Sequence, residues 1–387
     1  MRPVRNPVLF VLAIASVAGL ALTGFVSHAP NRLLSGQPLP LWHAAPFPAA
    51  TGIAAGVLAL FVLSLVPQSR PLRWAVAVAG SGLILLTLDT AGQVAIGLID
   101  PAHPASRTAL GPAAWILVLC AALAIVDAVQ RLNAGPLLRS VVAAGVVAAI
   151  GALLASGRLD ALSFLREYAN QRDAFAREIV RHVALVAAAL VPALAIGTPI
   201  GVAVARRPGL GQGVYAGLNL LQTIPSVALF GLLIAPLSAL AAAFPALAAA
   251  GVQGIGFFPA MLALMLYALL PVVRNTQAGL MGVDPAVVEA ARGMGLTRRQ
   301  IFWRVERPLA LPVFLAGVRI VLVQTIGLAV VAALIGAGGL GTFVFQGIGQ
   351  YATNLVLLGA VPTIMLALAA DLVMRMLVEL AGRRSSP

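Results

Sequence analysis

Ten apolar runs, most close to twenty residues long, recur along this chain of 387 residues. A helix rises about 1.5 Å per residue, so about twenty apolar residues cross a hydrocarbon layer roughly 30 Å thick. Inside lipid every backbone N–H and C=O must find a partner within the protein, and a helix supplies them within one segment. The runs fall at about 8–26, 49–66, 72–88, 109–129, 138–156, 182–205, 212–235, 258–273, 312–335 and 355–378. They predict an all-α polytopic membrane protein with about ten transmembrane helices. Charge agrees: 10% of the residues are charged and 61% hydrophobic, where soluble domains carry roughly 25% charged residues. That balance excludes an ordinary cytosolic enzyme, a disordered chain and a fibrous one.

The basic residues number 25 against 12 acids, and every one of them is Arg. A surplus of this size in a soluble protein suggests nucleic-acid binding. Here the arginines gather in loops on one side, as cytoplasmic loops of membrane proteins do. With the N-terminus inside, seventeen of the 25 lie in inside segments, seven in outside ones, and Arg319 within the ninth span. Inverting the topology would expose the basic loop 274–311, so both termini are read as cytoplasmic and no nucleic-acid partner is expected. The absence of Lys excludes a P-loop ATPase, whose Lys reaches the nucleotide phosphates. Cys120 stands alone in an apolar run, and His28, His43, His103 and His182 are scattered without metal-ligand spacing, so neither a metal site nor a bound cofactor is expected. The first apolar run exceeds the about 7–15 residues of a signal-peptide core and is read as an uncleaved helix.

Segment 157–181, GRLDALSFLREYANQRDAFAREIVR, alternates in charge and leaves an apolar side at Leu162, Leu165, Tyr168 and Phe175. It reads equally as an amphipathic helix at the outer interface and as a solvated connector. Either way it separates an N-terminal five-span module, 1–156, from a C-terminal five-span module, 182–387. Asp89 and Asp127 sit near span ends in the first module, where a solvated or capping role is expected.

The inside loop 274–311 carries the strongest local chemistry. Asp284 is a good N-cap and Pro285 fits the first helical position, where a missing N–H costs nothing. Gly295 suits the left-handed residue that ends a helix. Thr297 and Gln300 have capping-box spacing for a second helix, which Pro308 is expected to stop. The result is a helix, a glycine turn and a helix on the cytoplasmic surface. The small side chains of Ala290 and Ala291 allow close approach of another protein, Glu289 adds a charge, and Val287, Val288 and Met294 add apolar contact. Such an element suits a groove on a soluble partner.

Glu289 to Gly295, EAARGMG, resembles the EAA loop of permease subunits of binding-protein-dependent ABC importers. The family pattern continues, nine residues after the Gly, to Ile-x-Leu-Pro, which falls here on Val305-Glu306-Arg307-Pro308, so Arg307 departs from the family's Leu. Further strings are similar to the glycine betaine, choline and carnitine branch: Gln222-Thr223-Ile224-Pro225-Ser226, Leu269-Leu270-Pro271, Arg274-Asn275-Thr276, Val283-Asp284-Pro285 and Ile335 to Gly341. The likeness spans roughly 178–380, and the extra N-terminal spans occur in a long-permease subgroup of the branch. The resemblance implies a type I importer permease core in the C-terminal half, residing in the bacterial inner membrane. It implies a periplasmic or lipid-anchored binding protein outside, a second permease subunit alongside, and ATPase subunits inside that use ATP and Mg and grip the loop. Asp284, Pro285, Glu289, Ala290, Ala291, Gly295 and Pro308 would form the coupling loop. The chain itself would hydrolyse nothing. The implied cargo is a compatible solute such as glycine betaine or choline; another small solute such as an amino acid, or an ion-coupled transporter, is the alternative.

Residues that could line the translocation path or gate it are Gln222, Thr223, Pro225, Ser226, Phe230, Tyr267 and Asn275, with Phe343, Phe345 and Tyr351 as further aromatic candidates for a quaternary ammonium group. Pro225 is expected to kink the seventh span, and Gln222, Thr223 and Ser226 to satisfy the freed backbone or line a path. Gly336, Gly338 and Gly341 spell GxGxxG, yet they follow a membrane span at the outer face with no acid before Asp371. They are read as turn or packing glycines, not a nucleotide loop. Arg319 is expected to anchor its helix by snorkelling or pairing.

Overall fold

The structure, a computed structural model, describes residues 4–31, 34–133 and 135–385. Arg2 and Arg32, counted in the charge balance, lie outside the described residues. The elements in order are α1 (Pro7–Leu22), β1 (Val26–Ala29), β2 (Gln37–Leu39), α2 (Leu41–Ala44), α3 (Phe47–Leu65), α4 (Arg70–Gly97), β3 (Arg107–Leu110), α5 (Pro112–Arg131), α6 (Pro136–Ala155) and α7 (Ser163–Asn170). There follow α8 (Arg172–Arg206), α9 (Pro208–Thr223), α10 (Ser226–Ala243), α11 (Pro245–Ala249), α12 (Phe257–Met281), α13 (Pro285–Gly293) and α14 (Arg298–Ile301). A π-turn (Phe302–Glu306), α15 (Arg307–Ala329), a 3₁₀ turn (Val331–Ile335), α16 (Gly341–Gly349) and α17 (Thr353–Ser385) complete the chain. Among the described residues nine helices are long and apolar enough to cross a membrane, and α1 is a shorter apolar helix. The chain forms two compact units, one of Met1–Asn170 with Gln350–Asn354, the other of Gln171–Gly349 with Leu355–Pro387.

In the first unit α5 packs against α4 and α1, and α3 against both α1 and α4. Leu9, Phe25, Leu41, Ile53, Leu60 and Leu117 are wholly buried between them. The first span ends earlier than the expected 26, because Thr23 turns both its backbone N–H and its hydroxyl to the Gly19 carbonyl and the chain leaves as a strand. That strand, β1, is the centre of a three-stranded antiparallel sheet ordered β2-β1-β3, with Ser27 opposite Pro38 and Ala109. Asp89 and Asp127 are not solvated, contrary to expectation. Asp89 meets Arg158 at 2.8 Å, and Asp127 takes Arg131 Nε at 2.8 Å and the Asn6 amide at 2.7 Å. An acid near the end of a span is screened weakly, and pairing is the stable answer.

The expected connector is divided. Residues 163–170 form α7, and from Arg172 the chain is already in α8, whose 35 residues run unbroken into the sixth span. The apolar side at 162–175 is thus shared between two helices and does not make one interfacial helix.

The second unit is built on α12, which packs against α8 on one side and α15 on the other. Gly197 and Gly201 of α8 let α12 approach, since a Cβ on Gly201 would lie 2.5 Å from Thr276 Cβ. The seventh span is broken, not merely kinked. Pro225 has no N–H and holds Ile224 extended (φ −75°, ψ 124°), so α9 ends and α10 begins afresh at Ser226. Arg319 pairs with Asp371 at 3.0 Å, and Arg375 takes the other oxygen of the same carboxylate at 2.7 Å.

Candidate functional site

The coupling loop forms as its local chemistry requires at its start. The Asp284 carboxylate accepts from Ala286 N–H at 2.8 Å, and Pro285 opens α13. Gly295, with φ +79°, closes it: Leu296 N–H reaches the Ala291 carbonyl and Gly295 N–H that of Arg292. These two bonds are the paired closure of a Schellman cap, and the left-handed residue they need is a glycine. The capping box is present as well, with Thr297 N–H on Gln300 Oε1 at 2.8 Å and Gln300 N–H on Thr297 Oγ1 at 3.4 Å.

The two alanines part company. Glu289 and Ala290 are exposed, whereas Ala291 is 2% exposed and packs inward. Met294 and Val287 stand out beside them at 73% and 42%. The exposed face of α13 and its cap therefore carries Val287, Glu289, Ala290 and Met294, while Ala291 seats the helix on its own unit.

Pro308 does not stop the second helix. The chain passes from α14 through the π-turn into α15, with Pro308 in the first turn of α15. In the π-turn Arg307 N–H bonds back five residues to Phe302, and the shifted ladder leaves a gap where the missing proline N–H is tolerated. The loop's second helix and the ninth span are consequently one continuous rod.

That rod is tied to the end of α8 by a pair with no local signal in the sequence. Both terminal nitrogens of the Arg206 guanidinium donate to Glu306, which is 8% exposed, and Arg206 also lies 5.7 Å from the centre of the Phe302 ring. In sequence Arg206 registers only as a topological charge and Glu306 as part of the family's variable position. Arg307 stacks 4.9 Å over the Trp303 ring.

The path candidates separate into bracing and packing groups. Pro271 of α12 has no N–H for the Tyr267 carbonyl four residues back. Gln222 Nε2 donates to that carbonyl at 2.7 Å. In return the Tyr267 hydroxyl donates to the Ile224 carbonyl, left bare by the break at Pro225. Two prolines on different helices are thus braced by one reciprocal clasp. Thr223 returns its hydroxyl to Leu220 O, and Asn275 its amide to Pro271 O while packing on Gly317. Phe230 and Phe343 are buried at 1%, in the core of the unit, while Tyr351 is 87% exposed. Ser226 and Phe345 are half-buried.

The glycine run 336–341 is a left-handed turn, with φ +78° and +86° at Gly338 and Gly339. Glu178 of α8 accepts from Gly339 N–H and Arg181 donates to the Ala337 carbonyl, so side chains of α8 hold the turn.

Two family models match. Residues 4–165 match the N-terminal domain of the ABC transporter permease YehY, and residues 197–383 match the binding-protein-dependent transport system inner membrane component. Among curated relatives, the carnitine transport permease protein OpuCB of Listeria monocytogenes is 37% identical over 49% of this chain and 80% of its own length. The osmoprotectant import permease protein OsmW of Salmonella typhimurium is 42% identical over 49% and 84%. The glycine betaine/carnitine/choline transport system permease protein OpuCD of Bacillus subtilis is 36% identical over 56% and 88%. A solved chain of the inward-facing MetNI methionine ABC transporter aligns over 54% of this chain and 95% of its own, at 24% identity and a TM-score of 0.47. With curated permease subunits matched at 36–42% identity over 80–88% of their own length, the chain belongs to the permease subunits of binding-protein-dependent ABC importers.

Proposed function

We propose that this permease carries a compatible solute, glycine betaine, choline or a related quaternary ammonium compound, across the bacterial inner membrane. One observation carries the cargo: relatives matched over four fifths or more of their length are named for carnitine, osmoprotectants, or glycine betaine, carnitine and choline. A periplasmic or lipid-anchored binding protein delivers the solute, and a second permease subunit, identical or a shorter homologue, completes the pathway. Separate ATPase subunits use ATP and Mg, and they engage α13 through Glu289, Ala290 and the apolar side chains beside them. Asp284, Pro285 and Gly295 fix the ends of that helix. Movement of α13 passes along the rod through Pro308 into the ninth span, and through Arg206 and Glu306 into α8. On the path side, Gln222, Tyr267 and the break at Pro225 form a hinge whose two bonds restore the backbone partners that proline removes, with Thr223, Ser226, Phe230 and Asn275 setting the surrounding packing.

The test is uptake of labelled glycine betaine in a transport-deficient bacterial host expressing this chain with its cognate ATPase and binding protein. The expected uptake requires the ATPase and is abolished by Gly295→Asp, which strains a left-handed position and sets an acid against the negative end of the α13 dipole. Absent uptake from a complex that assembles and hydrolyses ATP rejects this cargo, and a panel of amino acids is then tried. Uptake that survives loss of the ATPase rejects ATP coupling altogether.

A further inference from the structure

Arg307 is the departure from the family pattern that changes the loop's chemistry, a charge in place of Leu where Val305 only shortens the family's Ile, and the importer reading gives it no task. It stands at the cytoplasmic start of α15, exposed, with its guanidinium over Trp303. Among the described residues no carboxylate pairs with it, in contrast to Arg206, Arg319 and Arg375, each of which has one. Arg307, Leu311 and Leu315 follow one another at four-residue spacing, so they form a single stripe down α15. Leu377 and Leu380 form the facing stripe on α17, near its cytoplasmic end. Between them lies an open groove of about 500 Å³ with overwhelmingly apolar walls, and Arg307 and Pro308 border it.

The groove has a charged mouth at the level of the inner interface and a leucine channel that runs from there toward the membrane midplane. The indole of Trp303, on which Arg307 stacks, is a ring that membrane interfaces favour, where it sits among headgroups. A water-soluble anion would use the arginine and leave the leucines bare. A neutral lipid would use the leucines and leave the arginine without a counter-charge. We propose that this groove is a binding site for an anionic phospholipid of the inner leaflet, its phosphate on Arg307 and one acyl chain along Leu311, Leu315, Leu377 and Leu380. Basic pockets between transmembrane helices on the cytoplasmic side have the right chemistry for such headgroups. The family's Leu at position 307 would close the mouth with an apolar side chain and remove the charge, so the site belongs to this chain's own sequence.

The test is native mass spectrometry of the full chain in mild detergent, offered phosphatidylglycerol or phosphatidylcholine with the same acyl chains. Phosphatidylglycerol is expected to be retained in about fivefold preference, the scale of one interfacial basic residue. Arg307→Leu, which installs the family residue and so keeps the fold, is expected to bring the two lipids level. Leu377→Trp, which fills the groove and leaves Arg307 in place, is expected to reduce retention of phosphatidylglycerol. Arg304→Leu, an exposed arginine that does not line the groove, is expected to leave the preference intact, and glycerol 3-phosphate is expected not to displace the lipid. The proposal falls if Arg307→Leu keeps the preference or if Arg304→Leu abolishes it equally. It also falls if glycerol 3-phosphate alone competes, or if Leu377→Cys forms a disulfide between two copies in the membrane, which would make the groove a subunit interface.

Discussion

The two units are made from the same few residue types, yet they place their polar groups in opposite ways. In the first, the helices α1, α3, α4 and α5 contain no interior proline beyond their first turns; Asn6, Asp127 and Arg131 close a polar contact at helix ends, and Asp89, inside α4, reaches Arg158 outside it. In the second, α8, α10, α12, α15 and α17 all contain interior prolines, and at Pro271 a side chain reaches in to supply the lost partner. Gln222 and Tyr267 mend two breaks at once, and Arg206 holds Glu306 beside the π-turn. Unbroken apolar helices with terminal pairs make a stiff support. Broken helices with side-chain braces have alternative hydrogen-bond partners close by, which is what an element that changes shape during transport needs.

Substitutions at four places can break or sharpen that contrast. The largest effect is expected from Gly295→Val, which forces a β-branched residue into φ +79°; the strain of a few kcal/mol should lower ATP-driven uptake by about tenfold or more. Next is Arg206→Ala. It strands a buried Glu306, and with the exposure of Arg206 discounted the loss is about 2 kcal/mol, read from thermal unfolding in detergent. The exchange Arg206→Glu with Glu306→Arg should recover part of it. Third is Gln222→Leu, which leaves the Tyr267 carbonyl bare; hydrogen bonds between membrane helices are worth about 1 kcal/mol, and Tyr267→Phe should cost a similar amount. The smallest is Arg158→Ala in the first unit, expected to cost less than about 1 kcal/mol and to leave uptake within twofold of the parent. An uptake defect from Arg158→Ala as deep as that from Gly295→Val would erase the distinction between the units.

Most of the membrane helices and the ends of the coupling loop are legible in the amino-acid sequence. The apolar runs locate the helices, because lipid thickness allows few alternatives, and Asp284, Gly295, Thr297 and Gln300 mark both ends of α13 and the start of α14 through bonds made within five residues. What the sequence does not announce depends on partners far along the chain. Arg206 meets Glu306 across 100 residues, and Gln222 meets the Tyr267 carbonyl across 45. The sheet β2-β1-β3 is built from strands of three or four residues, too short to show alternation. Pro308 misleads for a subtler reason: proline ends a helix only when its missing N–H is needed, and a π-turn just upstream removes the need. Ala290 and Ala291 look equivalent because neither carries a distinguishing side chain; only packing tells the outward one from the inward one.

The central claim is that the ATPase drives this chain through α13 of the second unit and not through the cytoplasmic face of the first. Cysteine cross-linking tests it directly, with the native Cys120 buried and out of reach. In membranes containing the assembled complex, Ala290→Cys should cross-link to the ATPase, and trapping it should stop uptake. Arg70→Cys, at the exposed start of α4, should not cross-link. A cross-link from position 70 with none from position 290 would contradict the account.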